Sequence, residues 1–312
     1  MKYFSEQHKY NTLNNYLRAK FGTKVFKIAL NAGFTCPNRD GLVAYGGCTF
    51  CSDSGSGDFA GSPTEPIKVQ FEKQRQMMHN KWKDAKYIVY FQANSNTYAR
   101  LDVLKKLFEE AINLDPNIVA ISIGTRCDCL SDQIIDYLAE LSKRVVVWVE
   151  LGLQTIHSKS MEDLNLGYNL ETFNDAVARL RKSNIEVVIH IINGLPNETK
   201  EMMLATLNHL NTLDIQGLKI HSLFLLKGTK LGNSYLANPF KILSLEEYVE
   251  ITATQIAHLN ANIIIHRISG DAPSKDLIEP LWSRKKFVVM NEIDKYLKAY
   301  NLYQGKIKVQ EA

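Results

Sequence analysis

The chain has 312 residues, a length that suits a single α/β barrel, and its 45% apolar content excludes global disorder. Thirty-seven basic residues against 33 acidic ones give a net charge of +4, too mild to establish a nucleic-acid partner. No apolar run approaches the ~18 residues of a membrane span. The first residues, MKYFSEQHKYNTLNNYLRAK, hold no apolar secretory core, so the expected location is cytoplasmic and no membrane contact is expected.

The N-terminal stretch, 1–24, reads as a basic segment, with Lys2, Lys9, Arg18, Lys20 and Lys24 against Glu6 alone. From there, apolar β-branched runs recur: KVFKIAL (24–30), YIVYFQ (87–92), IVAISIG (118–124), VVVWVELG (145–152), EVVIHIING (186–194), GLKIHSLFLL (217–226) and NIIIHRI (262–268). Each reads as a strand, and their continuous rather than alternating apolarity fits a parallel sheet buried on both faces. Helical patterns lie between them. In RLDVLKKLFEEAINL, Leu101, Leu104, Leu107, Phe108, Ala111 and Ile112 recur at helical spacing. In SDQIIDYLAELS, Ser131 is placed to cap a helix whose stripe is Ile134, Ile135, Leu138 and Leu141. Segments 171–183 and 199–213 repeat the habit, and the last helix falls in RKKFVVMNEIDKYLKAYN.

Six βα units plus a tail predict an α/β fold: a partial (β/α)6-type barrel over 25–240 and a C-terminal extension over 241–312. Chemistry in such barrels sits at the C-terminal ends of the strands. The unusual polar segments fall there: the cysteine loop, QANSNTY, TRCDC, ELGLQT, HIINGLPNET and KIHSLFLLKGT. GSGDFAGSP (55–63) reads as a loose surface loop. The two basic ends, the second carrying Arg284, Lys285, Lys286, Lys295, Lys298, Lys306 and Lys308, either form one polyanion-binding patch or are ordinary solvated surface.

Three of the five cysteines, Cys36, Cys48 and Cys51, crowd into TCPNRDGLVAYGGCTFC. An odd count in a cytosolic chain argues for metal or redox chemistry over disulfides. Three thiolates suit an iron–sulfur cluster with one open iron, or a zinc site whose fourth ligand comes from elsewhere; chance clustering is the third reading. His79 is the nearest downstream histidine, and Cys127 or Cys129 could reach in from another strand end.

GFTCPNRDG, GGCTFC, GTR, ELGLQT and HIINGLPNET, in this order, resemble radical SAM proteins. Within that superfamily they resemble the YtqA/YhcC-type family and its MnmL branch, distantly related to the radical SAM domain of the Elongator catalytic subunit. The long first cysteine gap fits this family rather than the commonest radical SAM spacing. The resemblance implies a radical SAM barrel with one [4Fe-4S] cluster held by Cys36, Cys48 and Cys51, its open iron chelating S-adenosylmethionine (SAM). It implies cofactor contacts from Phe50 beside adenine, Gln92 and Asn94 at the amino group, Arg126 at the carboxylate, Glu150 and Gln154 at polar groups, His190, and Asn193 in an adenine-side turn. Packing under the loop is the rival role for Phe50, an exposed cation for Arg126, a structural ion pair for Glu150 and a core histidine for His190. Lys219, His221 and Arg267 are assigned to the substrate side of catalysis. One departure stands out: Cys127 occupies a position where the family has proline, and a packed small hydrophobe is its expected role.

The resemblance also implies reductive cleavage of SAM to a 5′-deoxyadenosyl radical that abstracts hydrogen. The MnmL branch points to tRNA, with 5-carboxymethylaminomethyl-(2-thio)uridine at the wobble position of the anticodon loop converted to 5-aminomethyl-(2-thio)uridine. An electron donor such as flavodoxin or ferredoxin and a functional link to a tRNA methyltransferase go with it. On that reading Lys2 through Lys27 and Arg284 through Lys286 form the tRNA footprint. The rivals are a radical SAM reaction on another small molecule or protein, and a zinc-stabilised RNA-binding barrel.

Overall fold

A computed structural model describes residues 3–55, 57–79 and 82–307. Lys2, Lys308 and Ser56 of the loose loop lie outside the described residues, as does the side chain of His79. Helix α1 (Leu13–Phe21) leads into β1 (Val25–Leu30), and the cysteine loop runs from β1 to α2 (Ile67–His79). Then follow β2 (Lys86–Phe91), α3 (Leu101–Ile112), β3 (Ile118–Thr125), α4 (Asp132–Ser142) and β4 (Val146–Gln154). A short α5 (Ser158–Asp163) precedes α6 (Leu170–Lys182), β5 (Glu186–Asn193), α7 (Lys200–Asn211) and β6 (Gly217–Ser222). The chain finishes with β7 (Leu225–Leu226), α8 (Lys230–Ala237), α9 (Leu245–His258), β8 (Ile264–Arg267), β9 (Leu277–Glu279) and α10 (Lys286–Ala299).

Seven strands form one parallel sheet in the order β1-β2-β3-β4-β5-β6-β8. Neighbours in space are mostly neighbours in sequence, as short βα connections require. The outer face of the sheet is sealed by the helical stripes, for example Leu104, Phe108 and Ala111 of α3 and Phe173, Val177 and Leu180 of α6. The expected cap is present: the Ser131 hydroxyl accepts from the Ile134 amide. Ser244 and Glu247 close a capping box on α9. Each such cap stabilises its helix by ~1 kcal/mol.

The run 217–226 is two elements rather than one strand. Ser222 is the last residue with a ladder partner on β5, opposite Asn193. Beyond it the chain peels away, and Leu225–Leu226 pair antiparallel with β9. Both halves are equally apolar, so periodicity carries no mark of the change of partner. The C-terminal tail supplies the seventh strand of the sheet through β8. The free edge of β8 meets the N-terminal segment: the Ile265 amide donates to the Asn11 carbonyl at 2.8 Å, and His8 pairs with Asp294 at 2.9 Å. The segment around His8 and Asn11 is therefore docked on the C-terminal extension.

Lys20 and Lys24 do not face the barrel mouth. Lys24 immediately precedes β1, and Lys20 pairs with Glu186, the first residue of β5. Both sit at the N-terminal ends of strands, opposite the cysteine loop, so the expected footprint is divided. Lys27 leaves it altogether: its side chain turns into the barrel to meet Glu150 at 2.7 Å. Among the described residues no helix is long and apolar enough to cross a membrane.

Candidate functional site

Two connected chambers open at the C-terminal ends of the strands. The first, of about 220 Å³, is lined by Cys36, Cys48 and Cys51 from the loop, Gln92, Asn94 and Ser95 after β2, Arg126 after β3, and Glu150 and Gln154 of β4. The second, of about 690 Å³, contains no cysteine and shares Phe50, Tyr90, Gln92, Gln154, His190, Lys219, His221 and Arg267 with the first. Every expected site residue except Asn193 lines at least one chamber.

The cysteine loop is held by tight backbone geometry. The Arg39 and Asp40 amides donate back to the Cys36 carbonyl, and the Cys51 amide donates to that of Cys48 at 3.0 Å. Asn38 anchors the loop to the Asn165 carbonyl and reaches the Cys48 sulfur at 3.5 Å. Gly55 has φ +62°, and a Cβ there would sit 2.1 Å from Asn94 Oδ1, so only glycine lets the loop close on the strand end. The Cys48 thiol is pushed well above its ordinary range, first by its contact with Cys51 and then by burial. Among the described residues no three His, Cys, Asp or Glu side chains converge as a single metal ion requires. Cys36, Cys48 and Cys51 line one chamber, three thiolates suit an iron–sulfur cluster with one open iron, and binding iron offsets the cost of ionising crowded thiols. Cys127 and Cys129 line neither chamber. Cys127 is 2% exposed within the main core, its thiol pushed up to about 12 by burial and by Asp128, as expected of a packed hydrophobe.

Several side chains have partners that the sequence does not name. Arg126 forks onto Asp128 (2.8 and 2.6 Å), donates to the Leu166 carbonyl and lies 4.9 Å above the Tyr168 ring. It is a buried, paired cation at the chamber wall rather than an exposed or free one. Asn193 is a correction. It is 2% exposed, and its amide group bonds Gln255 and Thr252 of α9 while its carbonyl accepts from Leu223. Those bonds fasten β5 to α9 and leave it outside the cavity, so its side chain is not placed for a cofactor. Phe50 lines both chambers while also packing on the small cluster around Ile192 and Leu223. Asn94 and Gln154 both take left-handed backbone, φ 56° and 67°. For glutamine this is strained, and the sheet register breaks beside it, between Gly152 and Gln154.

Glu150 is the centre of a buried cage. One oxygen accepts from Lys27 Nζ (2.7 Å) and Ser122 Oγ (2.6 Å); the other accepts from Lys219 Nζ and faces His190 Nε2 at 2.8 Å. Burial alone would raise its pKa, but Lys219, Lys27 and His190 hold the carboxyl well below the usual range. Glu150 is thus ionised, and an internal ion-pair network is its structural role. Lys219 is depressed well below an ordinary lysine by burial, although Glu150 opposes this, because Lys27 and Arg267 crowd it with positive charge. Burial and Lys219 lower His190 to about 4, and burial with His190 and Arg267 holds His221 well below the ordinary histidine range. Tyr90 lies beneath Lys27 and Lys219, with each ammonium under 5 Å from the ring centroid. Sequence reading gave Lys27 to the tRNA footprint and passed over Tyr90, Ser122 and Tyr168. Lys27 had a signal, since a lysine in the middle of KVFKIAL is as anomalous as a glutamate ending VVVWVE; the other three had none.

Residues 33–210 match the model of the radical SAM superfamily, and residues 215–299 match the radical SAM C-terminal domain. The chain belongs to the radical SAM superfamily. The YtqA protein of Bacillus subtilis is 48% identical over 97% of this chain and 94% of its own length, which supports the narrower resemblance. The tRNA uridine(34) acetyltransferase of Methanocaldococcus jannaschii is 24% identical over 68% of this chain and 38% of its own. Among solved structures, Elp3 of Methanocaldococcus infernus superimposes with a TM-score of 0.65 at 19% identity, covering 90% of this chain and 64% of that one. The fold is therefore a partial radical SAM barrel with a C-terminal extension. As a radical SAM protein the chain is an enzyme whose cofactors are a [4Fe-4S] cluster and SAM.

Proposed function

We propose that this radical SAM enzyme acts on the wobble uridine of tRNA, converting 5-carboxymethylaminomethyl-(2-thio)uridine to 5-aminomethyl-(2-thio)uridine with loss of the carboxymethyl group. The observation that carries this reading is the likeness to a tRNA uridine(34) acetyltransferase over two thirds of the chain. A second, cysteine-free chamber beside the thiol-lined one supports it, because a splayed loop base needs its own space. In this proposal Cys36, Cys48 and Cys51 hold the cluster, and Gln92, Asn94, Arg126 and Gln154 line the SAM space. Bound together, cluster and SAM supply a carbon radical able to take hydrogen from an unactivated C–H bond. The chain's own residues do the rest. Phe50, which lines both chambers, shields their junction from water. Lys219, paired with Glu150 in the cage, presents Nζ at the junction of the two chambers as a hydrogen-bond donor to the substrate. A flavodoxin or ferredoxin supplies the electron, a methyltransferase consumes the product, and the reaction takes place in the cytoplasm with its tRNA.

The tRNA footprint in this proposal is the C-terminal group Arg284, Lys285 and Lys286, of which Lys286 lines the second chamber. Lys285→Glu with Arg284→Glu should weaken tRNA binding and flatten its salt dependence, because each phosphate contact contributes to the slope. Lys20→Glu with Lys24→Glu, at the far end of the barrel, should change neither; equal losses in both pairs would sink this footprint. The decisive experiment is a mass-spectrometric profile of tRNA nucleosides from a strain lacking the gene. Accumulated carboxymethylaminomethyl-uridine and missing methylaminomethyl product are expected; an unchanged profile in an organism that makes both overturns the substrate.

A further inference from the structure

The charges around the two chambers do not balance. Asp128 neutralises Arg126, Asp271 takes Lys286, and the Asp58 carboxylate accepts from Ser52 and Ser54. Glu150 alone faces Lys27 and Lys219. Arg267, half-buried at the end of β8, lines both chambers, and its guanidinium has no hydrogen-bond or ion-pair partner among the described residues. Beside it, His221 Nε2 is buried without a hydrogen bond. Ser222 Oγ and His266 Nδ1, on the wall of the second chamber, are likewise unsatisfied. Orphaned polar atoms and an uncompensated guanidinium in one recess are costly unless a ligand completes them.

We infer that Arg267 and His221 form a receptor for a carboxylate at the junction of the two chambers. A guanidinium fork matches the two oxygens of a carboxylate, and one ring N–H can serve a remaining lone pair. A single guanidinium also matches one negative charge, which favours a carboxylate over a doubly charged phosphate. Lys219 Nζ, paired with Glu150 and lining both chambers, adds a donor beside Arg267 and His221. Two carboxylates could occupy the receptor: the substrate's, or that of the methionine part of SAM. Arg267 lines the cysteine-free chamber as well as the cysteine-lined one, which favours the substrate. In that case the inference rests on the wobble-uridine reading and gives it a selectivity device: side chains ending in a carboxylate are admitted, and uncharged ones are not.

The test uses cluster-loaded protein under anaerobic conditions and small probes rather than tRNA. Acetate and N-methylglycine, with acetamide as the uncharged control, are followed by saturation-transfer NMR. The carboxylates should bind and acetamide should not. Arg267→Gln should remove the signal, and Arg267→Lys should keep part of it, with iron content unchanged in both. SAM affinity then separates the sources. If Arg267→Gln leaves it unchanged, the receptor serves the substrate; if it weakens SAM about tenfold or more, the receptor holds the SAM carboxylate. Acetate that binds no better than acetamide, or equally well to Arg267→Gln, overturns the receptor. The two readings fail separately. Arg267-dependent acetate binding in a protein that leaves carboxymethylaminomethyl tRNA unconverted sinks the wobble-uridine reading alone. Undiminished conversion of that tRNA by Arg267→Gln, with SAM affinity unchanged, sinks the receptor alone.

Discussion

The thiol-lined chamber and the Glu150 cage lie side by side in one barrel and are built in opposite ways. The first is a loop: three sulfurs fixed by glycine turns and backbone hydrogen bonds, with Cys48 and Cys51 only partly buried. The second is made of strands, with one residue each from β1, β3, β4, β5 and β6 meeting at a single carboxylate. A loop site carries its chemistry in local spacing and contributes little to the core. A strand site scatters its chemistry along the chain and is part of what keeps the barrel closed. Loss of a loop ligand should therefore cost function and spare stability, whereas loss of a cage member should cost both.

The largest effect expected is at the loop. Cys36→Ala, Cys48→Ala or Cys51→Ala should each prevent cluster assembly and remove all measurable SAM cleavage, with the far-ultraviolet circular dichroism and melting temperature little changed. Iron analysis after anaerobic reconstitution decides it: a full iron complement in any one variant would break the comparison at its first term. Next is Glu150→Gln, which leaves Lys27 and Lys219 facing each other without a carboxylate. Removing one partner of a buried pair typically costs ~3–5 kcal/mol, and denaturant unfolding should show a loss of that order. Lys27→Met should cost less, because Lys219 still answers Glu150. If Glu150→Gln is no less stable than the parent, the cage is not structural and Glu150 returns to the list of SAM contacts.

How far the sequence could be read follows the same division. The seven strands were visible as apolar runs, because strands buried on both faces need no polar alternation. The three cysteines were visible because CTFC and an upstream cysteine are a local pattern. Glu150, His190 and Lys219 were visible as anomalies, since each is ionisable inside an apolar strand. That they face one another was not visible: the contact between Lys27 and Glu150 spans 123 positions, and only the sheet order brings them together. Asn193 misled for the same reason. HIINGLPNET fixes its place at a strand end, but the side chain turns to Gln255, whose helix lies far along the chain. The break at Ser222 was hidden because a change of pairing partner leaves no mark in hydropathy.

A smaller effect separates the cage from the loop by pH. His190 is lowered to about 4 within the fold, against about 6.5 for a free histidine. Between those values the unfolded chain binds a proton that the folded one refuses, so stability rises with pH and is lost as pH falls from 6.5 towards 4. The side chain is 21% exposed, and solvent takes back part of the full shift, leaving ~2 kcal/mol across that window. Chemical denaturation at pH 7 and pH 5 should show this loss in the parent and a shallower one in His190→Gln. Equal slopes in the two proteins would mean that His190 is hydrated and free to charge.

The smallest effect concerns the residue that departs from the family. Cys127 and Cys129 flank Asp128 in one short turn, yet neither thiol lines the chambers, and Cys127 sits in the core with its proton held by burial. Cys127→Ala removes one buried sulfur and leaves a small void, which costs ~1 kcal/mol. Iron content and SAM cleavage should match the parent, because Cys127 packs in the main core and lines neither chamber. Cys127→Pro restores the residue expected of the family and should be tolerated: Arg126 already has φ −93° and ψ 151°, the extended backbone that a following proline requires. A loss of iron in Cys127→Ala would mean that a fourth thiol serves the cluster. In that event the boundary between loop chemistry and core packing would run through the turn after β3, rather than between the loop and the strands.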